Sequence, residues 1–107
     1  MLRHVVVFRW KDGTSSAEVD AIAAALRTLP GQIPELRAYD VGGDEGLVAG
    51  NADFAVVADV DDAEAWATYR DHPAHRRVID ELITPVLESR SAVQYLVPVN
   101  RSANATG

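Results

Sequence analysis

The chain has 107 residues, of which 48% are hydrophobic and 24% are charged, a balance typical of one folded domain with a modest core. Its net charge of −6 argues against nucleic acid and anionic membranes as partners, because both are bound through clustered Lys and Arg. Without cysteine it forms no disulfide, thiolate nucleophile or Cys-ligated metal site. We see neither a signal peptide nor the roughly 20 apolar residues that span a bilayer, so we expect a cytoplasmic protein.

The chain begins with a predicted strand and a predicted helix. Residues 2–10 are rich in β-branched and aromatic residues, which favour a strand. Residues 15–29 predict a helix, because apolar positions recur on one helical face and Ser15 and Glu18 have the spacing of a capping box. Pro30-Gly31 should end this helix.

The middle of the chain predicts two further strands. The first covers residues 36–41 and is closed by Gly42-Gly43. Residues 43–52 are rich in glycine and acidic residues, so we interpret them as a loop. Residues 53–60 alternate apolar positions on one face and predict the next strand.

Two helices and a last strand are predicted in the second half. Asp61-Asp62 starts a short helix that runs to about Arg70, with Asp61 and Glu64 at capping-box spacing. Pro73 suits the first position of another helix, which makes His72 its N-cap and extends to about Leu87.

Residues 91–97 predict the fourth strand, and residues 98–107 are small and polar. We therefore expect one domain over residues 1–97, followed by a flexible C-terminal tail over 98–107. The element order β-α-β-β-α-α-β predicts an α+β, ferredoxin-like subunit with a four-stranded antiparallel sheet.

The strands predict a homodimer. Helices on one side cover a single sheet face, so the other face should read polar. Instead both faces are apolar, as in His4-Val5-Val6-Val7-Phe8 and Phe54-Ala55-Val56-Val57-Ala58. A two-fold dimer that packs sheet on sheet would bury the second face. The alternative is a long loop over that face.

His75 is the first candidate for chemistry. It falls in the middle of the apolar stripe of the third helix, close to the N-terminus, where the helix dipole disfavours the imidazolium. A neutral imidazole in an apolar pocket is suited to act as a general base. The alternative is a core histidine that is hydrogen-bonded to the backbone.

Three other polar or aromatic side chains are placed to meet His75. His4 lies on the same strand face as Val6 and Phe8, so it reaches the same layer or sits at its rim. Tyr69 lies at the edge of the short helix, where its hydroxyl faces either a cavity or solvent. Trp66, three residues earlier, lies on the inner side of that helix. Three histidines suggest a metal, but His72 is more simply a cap and no carboxylate joins the set, so we expect no metal and no cofactor.

Three segments of the sequence are distinctive, of which the last ends in a specific His-Pro-Ala-His tetrapeptide: Arg3-His4-Val5-Val6-Val7-Phe8, Leu29-Pro30-Gly31-Gln32-Ile33-Pro34 and Tyr69-Arg70-Asp71-His72-Pro73-Ala74-His75. On these segments the chain resembles the stress-responsive α/β-barrel (Dabb) family over residues 2–97. This resemblance implies a ferredoxin-like subunit and a dimer whose two sheets form a barrel.

The resemblance also implies site residues. A distant member, the plant olivetolic acid cyclase, closes a linear polyketide by an aldol condensation, and its catalytic tyrosine and histidine correspond to Tyr69 and His75. Its pocket histidine corresponds to His4. An aspartate that supports its catalytic histidine is replaced here by Gln94, which is neutral and gives an imidazolium less support. We expect the ligand to contact His4, Val6, Phe8, Tyr39, Trp66, Val78, Ile79 and Gln94.

Two hypotheses of function follow. In the first, a small, mostly apolar carbonyl compound binds between sheet and helices, and His75 and Tyr69 carry out acid–base chemistry such as a cyclase-like aldol closure. In the second, the chain is a stress-response dimer without catalysis. Monooxygenase chemistry without haem or flavin, known on related dimeric barrels, is a third possibility that rests on fold analogy alone.

Overall fold

A computed structural model describes residues 1–98 of the chain. Its strands and helices are, in chain order, β1 (Leu2–Trp10), α1 (Ser16–Arg27), β2 (Ala38–Gly43), β3 (Phe54–Val60), α2 (Ala63–Asp71), α3 (Pro73–Val78) and β4 (Leu87–Leu96). A 3-10 turn follows α1, and a π-helical segment and a second 3-10 turn join α3 to β4; these cover Leu29–Gly31, Ile79–Ile83 and Thr84–Val86. The expected tail lies, from residue 99 onward, outside the described residues. None of the helices described is both long and apolar enough to cross a membrane.

The four strands form one antiparallel sheet in the order β2-β3-β1-β4. The sheet order and the helical crossovers confirm the predicted ferredoxin-like α+β fold. On the covered face, β1 presents Val6 and Phe8 and β3 presents Val56 and Ala58, all buried against the helical layer. That layer contributes large, fully buried side chains, Ile22, Leu26, Leu29, Ile33 and Ile83, and β3 adds Val60.

The helical layer leaves the edge strand β4 uncovered. Arg90 and Gln94 pair with Phe8 and His4 of β1, so they point to the helix side of the sheet. Both are nevertheless exposed, in contrast to the buried residues of β1 and β3 on the same face. The space between sheet and helices is therefore open along β4.

Within residues 1–98, no helix or strand packs on the other face of the sheet. Val5, Val7 and Val57 lie there half-buried, and Val93 of β4 is 58% exposed. An ion pair between Arg3 and the buried Asp59 joins β1 to β3 on this face, with nitrogen–oxygen distances of 2.8 and 2.9 Å. The register also places Asp40, Arg9, Ser89 and Ser91 on this face, toward its edges, so the apolar surface that the sequence predicted is confined to the centre of the face.

Strand pairing corrects the predicted ends of two strands. Gly42 and Gly43 do not close β2 but extend it, because they pair with Ala55 and Phe54 of β3. The strand predicted over 91–97 instead begins at Leu87, since β1 offers a partner as far as Trp10. Both differences arise because ladder pairing stabilises segments whose own residues have weak strand preference.

The caps of α1 and α2 test two predictions. The capping box of α1 is confirmed: Ser15 Oγ accepts from the backbone of Glu18, whose carboxylate accepts from the Ser15 backbone. For α2 the prediction was wrong by one residue. Asp62 caps the helix by accepting from the backbone N–H of Ala65, whereas Asp61 pairs with Arg37.

The third predicted helix changes its winding halfway. His72 caps it as predicted, accepting from the backbone N–H of Ala74 at 3.0 Å. The α-helix ends at Val78, and the next residues form i+5 hydrogen bonds, with Thr84 donating to the carbonyl of Ile79. In a π-helical turn, residues five positions apart lie on the same side of the helix, whereas the 3.6-residue period of an α-helix places them on different sides. Val78 and Ile83 are accordingly buried together.

Candidate functional site

A cavity of about 420 Å³ lies between the helix side of the sheet and the segment from α2 to β4. Its apolar wall comes from both layers and comprises Val6, Phe8, Leu26, Val56, Ile79, Ile83 and Leu87. Such a volume is large enough for a small organic molecule. The polar side chains of this cavity therefore decide what it can do.

His75 reaches the cavity from the third position of α3, where the His72 cap and Pro73 fix the start of the helix. Its Nδ1 donates to the backbone carbonyl of Arg70 at 3.0 Å. A carbonyl oxygen only accepts, so the neutral ring carries its proton on Nδ1 and keeps a free lone pair on Nε2. Burial, and the charge of Arg76, lower the pKa of His75 below its usual value, which favours this neutral form.

Two tyrosines form a hydrogen-bonded pair next to His75. The hydroxyls of Tyr39 and Tyr69 are 3.0 Å apart, and the ring centroid of Tyr69 lies 4.3 Å from that of His75. Burial raises the pKa of Tyr69 to about 12 and that of Tyr39 further, so both keep their protons. The pair has two hydroxyl hydrogens and uses one between its members, which leaves one hydrogen to donate to a ligand.

His4 contributes a second imidazole with the opposite arrangement. Gln94 donates its side-chain amide to Nδ1 of His4 at 2.9 Å, so the neutral ring carries its proton on Nε2. Burial lowers the pKa of His4, and the positive charge of Arg90 lowers it further. The centroid of the His4 ring lies 5.9 Å from that of the Trp66 ring. His75 therefore offers a lone pair and His4 a hydrogen-bond donor.

Three arginines complete the polar lining, and sequence reasoning did not include them. Arg70 lies 4.8 Å from the centre of the Trp66 ring, and Arg76 and Arg90 also line the cavity. Two of them follow Tyr69 and His75 directly in the sequence, so adjacency was a usable signal. Arg90 shares a face of β4 with Gln94, a signal hidden by the late start predicted for that strand.

Most of the predicted site residues line this one cavity. They are His4, Val6, Phe8, Tyr39, Trp66, Tyr69, His75 and Ile79. Gln94 acts on it through His4 and does not line it, and Val78 is buried in the core beside it. Trp66 is half-buried and forms part of the cavity wall as well as packing against the core.

His72 does not join the other histidines, because its ring caps α3. Among residues 1–98, His, Asp and Glu side chains form no group of three that could hold a metal ion. The polar groups that converge in the cavity are thus two imidazoles, two phenols and three guanidinium groups. These groups can bind an organic molecule and transfer protons to or from it.

Comparison with known proteins identifies the family. The family model of the stress responsive A/B barrel domain (Dabb) matches residues 2–97. The uncharacterized protein SCO4036 of Streptomyces coelicolor is 38% identical over 78 residues, which cover 71% of this chain and 80% of that protein.

Two solved structures extend the likeness to the fold. A dimeric ferredoxin-like protein of unknown function from Thermobifida fusca is 46% identical, covers 90% of each chain and superposes with a TM-score of 0.83. A hydroxynitrile lyase from Passiflora edulis is 22% identical over 91% of this chain and 93% of its own, with a TM-score of 0.78, and shows a shared fold only. The Thermobifida relative supports a homodimer for this chain. With the family model matching nearly its whole length, the chain belongs to the stress-responsive α/β-barrel (Dabb) family.

Proposed function

We propose that the cavity binds a small, mostly apolar carbonyl compound and that His75 removes a proton from the carbon next to the carbonyl group. The observation that carries this proposal is the hydrogen bond from Nδ1 of His75 to the carbonyl of Arg70. It leaves Nε2 as an acceptor in an apolar cavity, next to a tyrosine pair with one hydrogen to donate. A base and a hydrogen-bond donor side by side suit enolate formation.

The protonation states support the same chemistry. Because burial lowers the pKa of His75, the base is neutral and competent near pH 7. Tyr69 has a pKa of about 12, so it holds its proton and donates a hydrogen bond to the oxygen on which negative charge develops. Neither group needs to change its resting state before the reaction begins.

An aldol ring closure is one reaction that this arrangement supports. An enolate formed at His75 would attack a second carbonyl of the same molecule. The Nε2–H of His4, fixed by Gln94, is a second donor that would polarise that carbonyl. The hydroxynitrile lyase among the structural relatives indicates that the fold accommodates lyases. We therefore place cyclase-like lyase chemistry first among the catalytic alternatives.

One observation favours a binding module without catalysis. Among residues 1–98, no carboxylate hydrogen-bonds His4 or His75; their ring partners are the neutral amide of Gln94 and the carbonyl of Arg70. An imidazolium formed by proton abstraction would therefore receive weaker support than a carboxylate gives. In this alternative the cavity holds the same class of compound unchanged.

We further propose that the homodimer forms through the open sheet face. Its apolar residues, including Val57 and Val93, are partly or largely exposed to solvent in the single chain. A two-fold dimer would bury them against the same face of a second copy. The cavity lies on the opposite side of the sheet, so this arrangement leaves its opening along β4 accessible to ligand.

Proton abstraction is tested by hydrogen–deuterium exchange at the benzylic carbon of phenylacetone in D2O, followed by proton NMR. We expect the wild-type protein to accelerate exchange over buffer, and His75→Ala or Tyr69→Phe to remove about 100-fold of that acceleration. The rate should fall as the pH drops through the pKa of His75, which lies below its usual 6.5, because the imidazolium is no base.

The matched control is His72→Asn, which changes a histidine three residues away but keeps a good N-cap for α3. It should exchange at the wild-type rate. Exchange at the buffer rate, with phenylacetone bound in calorimetry, would favour the binding module over the enzyme. Full exchange in folded His75→Ala would exclude this histidine as the base.

A further inference from the structure

The lining of the cavity has the opposite charge to the rest of the protein. The chain carries 16 acidic and 10 basic residues, yet Arg70, Arg76 and Arg90 line the cavity. Among the described residues, no Asp or Glu side chain lines it. A concave site lined by one sign of charge attracts ligands of the other sign. The cavity is therefore built for a negatively charged group as well as for an apolar one.

Two of these guanidinium groups already have carboxylate partners. Arg70 forms two hydrogen bonds of 2.8 Å with Asp71, and Arg76 contacts Asp80 at 3.2 Å. Within residues 1–98 no carboxylate forms an ion pair with Arg90. Among the described residues, Arg90 is thus the cavity arginine whose guanidinium group is not engaged by a carboxylate and can bind a ligand.

The position of Arg90 fixes where that ligand group would lie. It points to the helix side of β4, opposite Phe8, while Gln94 on the same face holds His4. At a rise of roughly 3.3 Å per residue, these two β4 positions are about 13 Å apart. The backbone position of Arg90 therefore lies at one end of the opening and that of Gln94, beside His4, toward the other, while the charge of Arg90 still reaches His4 and lowers its pKa.

We propose that the ligand of this cavity is a carbonyl compound that bears a carboxylate, and that Arg90 determines this specificity by binding the carboxylate. The planar guanidinium presents two parallel N–H donors that match the two carboxylate oxygens. The carboxylate sits at the opening near solvent, the apolar body packs against Phe8 and Leu87, and the carbonyl group reaches the histidine end. The orientation of the carbonyl rests on the proposed function, whereas the binding of the carboxylate does not.

The test compares two probes that differ in one charge, 4-oxo-4-phenylbutanoate and its neutral amide, by isothermal titration calorimetry. We expect wild-type protein to bind the acid about 10-fold more tightly than the amide, the effect of one charge-assisted contact. Arg90→Gln should remove this preference, chiefly by weakening the binding of the acid. Arg90→Lys should retain only part of it, because an ammonium lacks the two-pronged geometry.

Arg77 supplies the matched control, since it is exposed on α3 and does not line the cavity. Arg77→Gln carries the same loss of charge and should keep the full preference for the acid. An acid preference that persists in Arg90→Gln would overturn the assignment to this residue. Wild-type protein that shows no preference, whether it binds both probes or neither, would overturn the inference itself.

The same assay separates this inference from the proposed function. His75→Ala should keep the acid preference, because the carboxylate lies at the Arg90 end of the opening. Acid preference without proton exchange would leave the carboxylate site standing and remove the catalytic role. Proton exchange without acid preference would do the reverse.

Discussion

The two cavity histidines differ in what their Nδ1 atoms contact. A backbone carbonyl accepts from His75, and the amide of Gln94 donates to His4. Each contact fixes the tautomer of its ring, so Nε2 is an acceptor in one case and a donor in the other. Single neighbouring groups thus give two identical side chains different chemistry in one cavity.

Gln94→Glu should reverse the arrangement at His4. The new carboxylate accepts from Nδ1, which moves the proton of the neutral ring from Nε2 to Nδ1 and stabilises the imidazolium. The pKa of His4, now lowered by burial and by Arg90, should rise by about 1 unit or more. Titration of the ring protons by NMR measures this shift, and ring nitrogen chemical shifts report the tautomer.

Gln94→Met is the control for this change, because it removes the amide without adding a charge. It should raise the pKa of His4 by less than Gln94→Glu does, because it places no negative charge beside the ring. A pKa of His4 that is the same in Gln94→Glu as in wild type would mean that the contact between the two side chains is absent in solution.

At the scale of elements, the sequence correctly predicted the features that depend only on residues close together in the chain. The capping box at Ser15 and the cap at His72 are short-range hydrogen bonds, and both were found. The start of β4 and the extension of β2 depend on partners far along the chain, which no local pattern contains. The π-helical turn at Ile79–Ile83 replaces the period on which the prediction of one long helix depended.

The features of the site likewise divide into those that the sequence predicts and those that depend on distant parts of the chain. His4 and His75 could be predicted to meet because each lies on an apolar face that the fold brings together. The pairing of the tyrosine hydroxyls depends on the register of β2 against β3, which sequence does not give. Arginines have long side chains whose charged ends lie far from their Cα atoms, so facing rules alone did not place Arg90 at the cavity.

The capping box of α1 gives a stability prediction at this scale. Ser15→Ala removes the acceptor for the Glu18 N–H and should lower the free energy of unfolding by about 1 kcal/mol. Urea denaturation measures it as a lower midpoint at unchanged slope. Ser16→Ala, the exposed next residue inside the helix, should have an effect of only a few tenths of a kcal/mol. Equal losses in both variants would contradict the cap.

At the scale of the whole molecule, the two faces of the sheet differ in what packs against them. One face, with the helices, forms the core and the cavity. The other is apolar at its centre, and no helix covers it within the described residues. The loop over residues 44–52 borders this face, since Leu47 lines a cleft with Val7 and Ala55, but it leaves Val93 58% exposed. The described part of the chain therefore contains no loop that covers the whole face, which was the alternative to a dimer.

Val93→Glu should convert the proposed dimer into a monomer. Val93 is largely exposed in the single chain, so the change perturbs the fold little, but a dimer through this face would bury one added carboxylate from each copy among apolar residues. Light scattering after size-exclusion chromatography measures the mass. Ala24→Glu adds the same charge on the exposed side of α1 and should leave the dimer intact. A dimer that survives Val93→Glu would place the interface on another surface, and a monomeric wild-type protein would mean that the chain leaves this face to solvent.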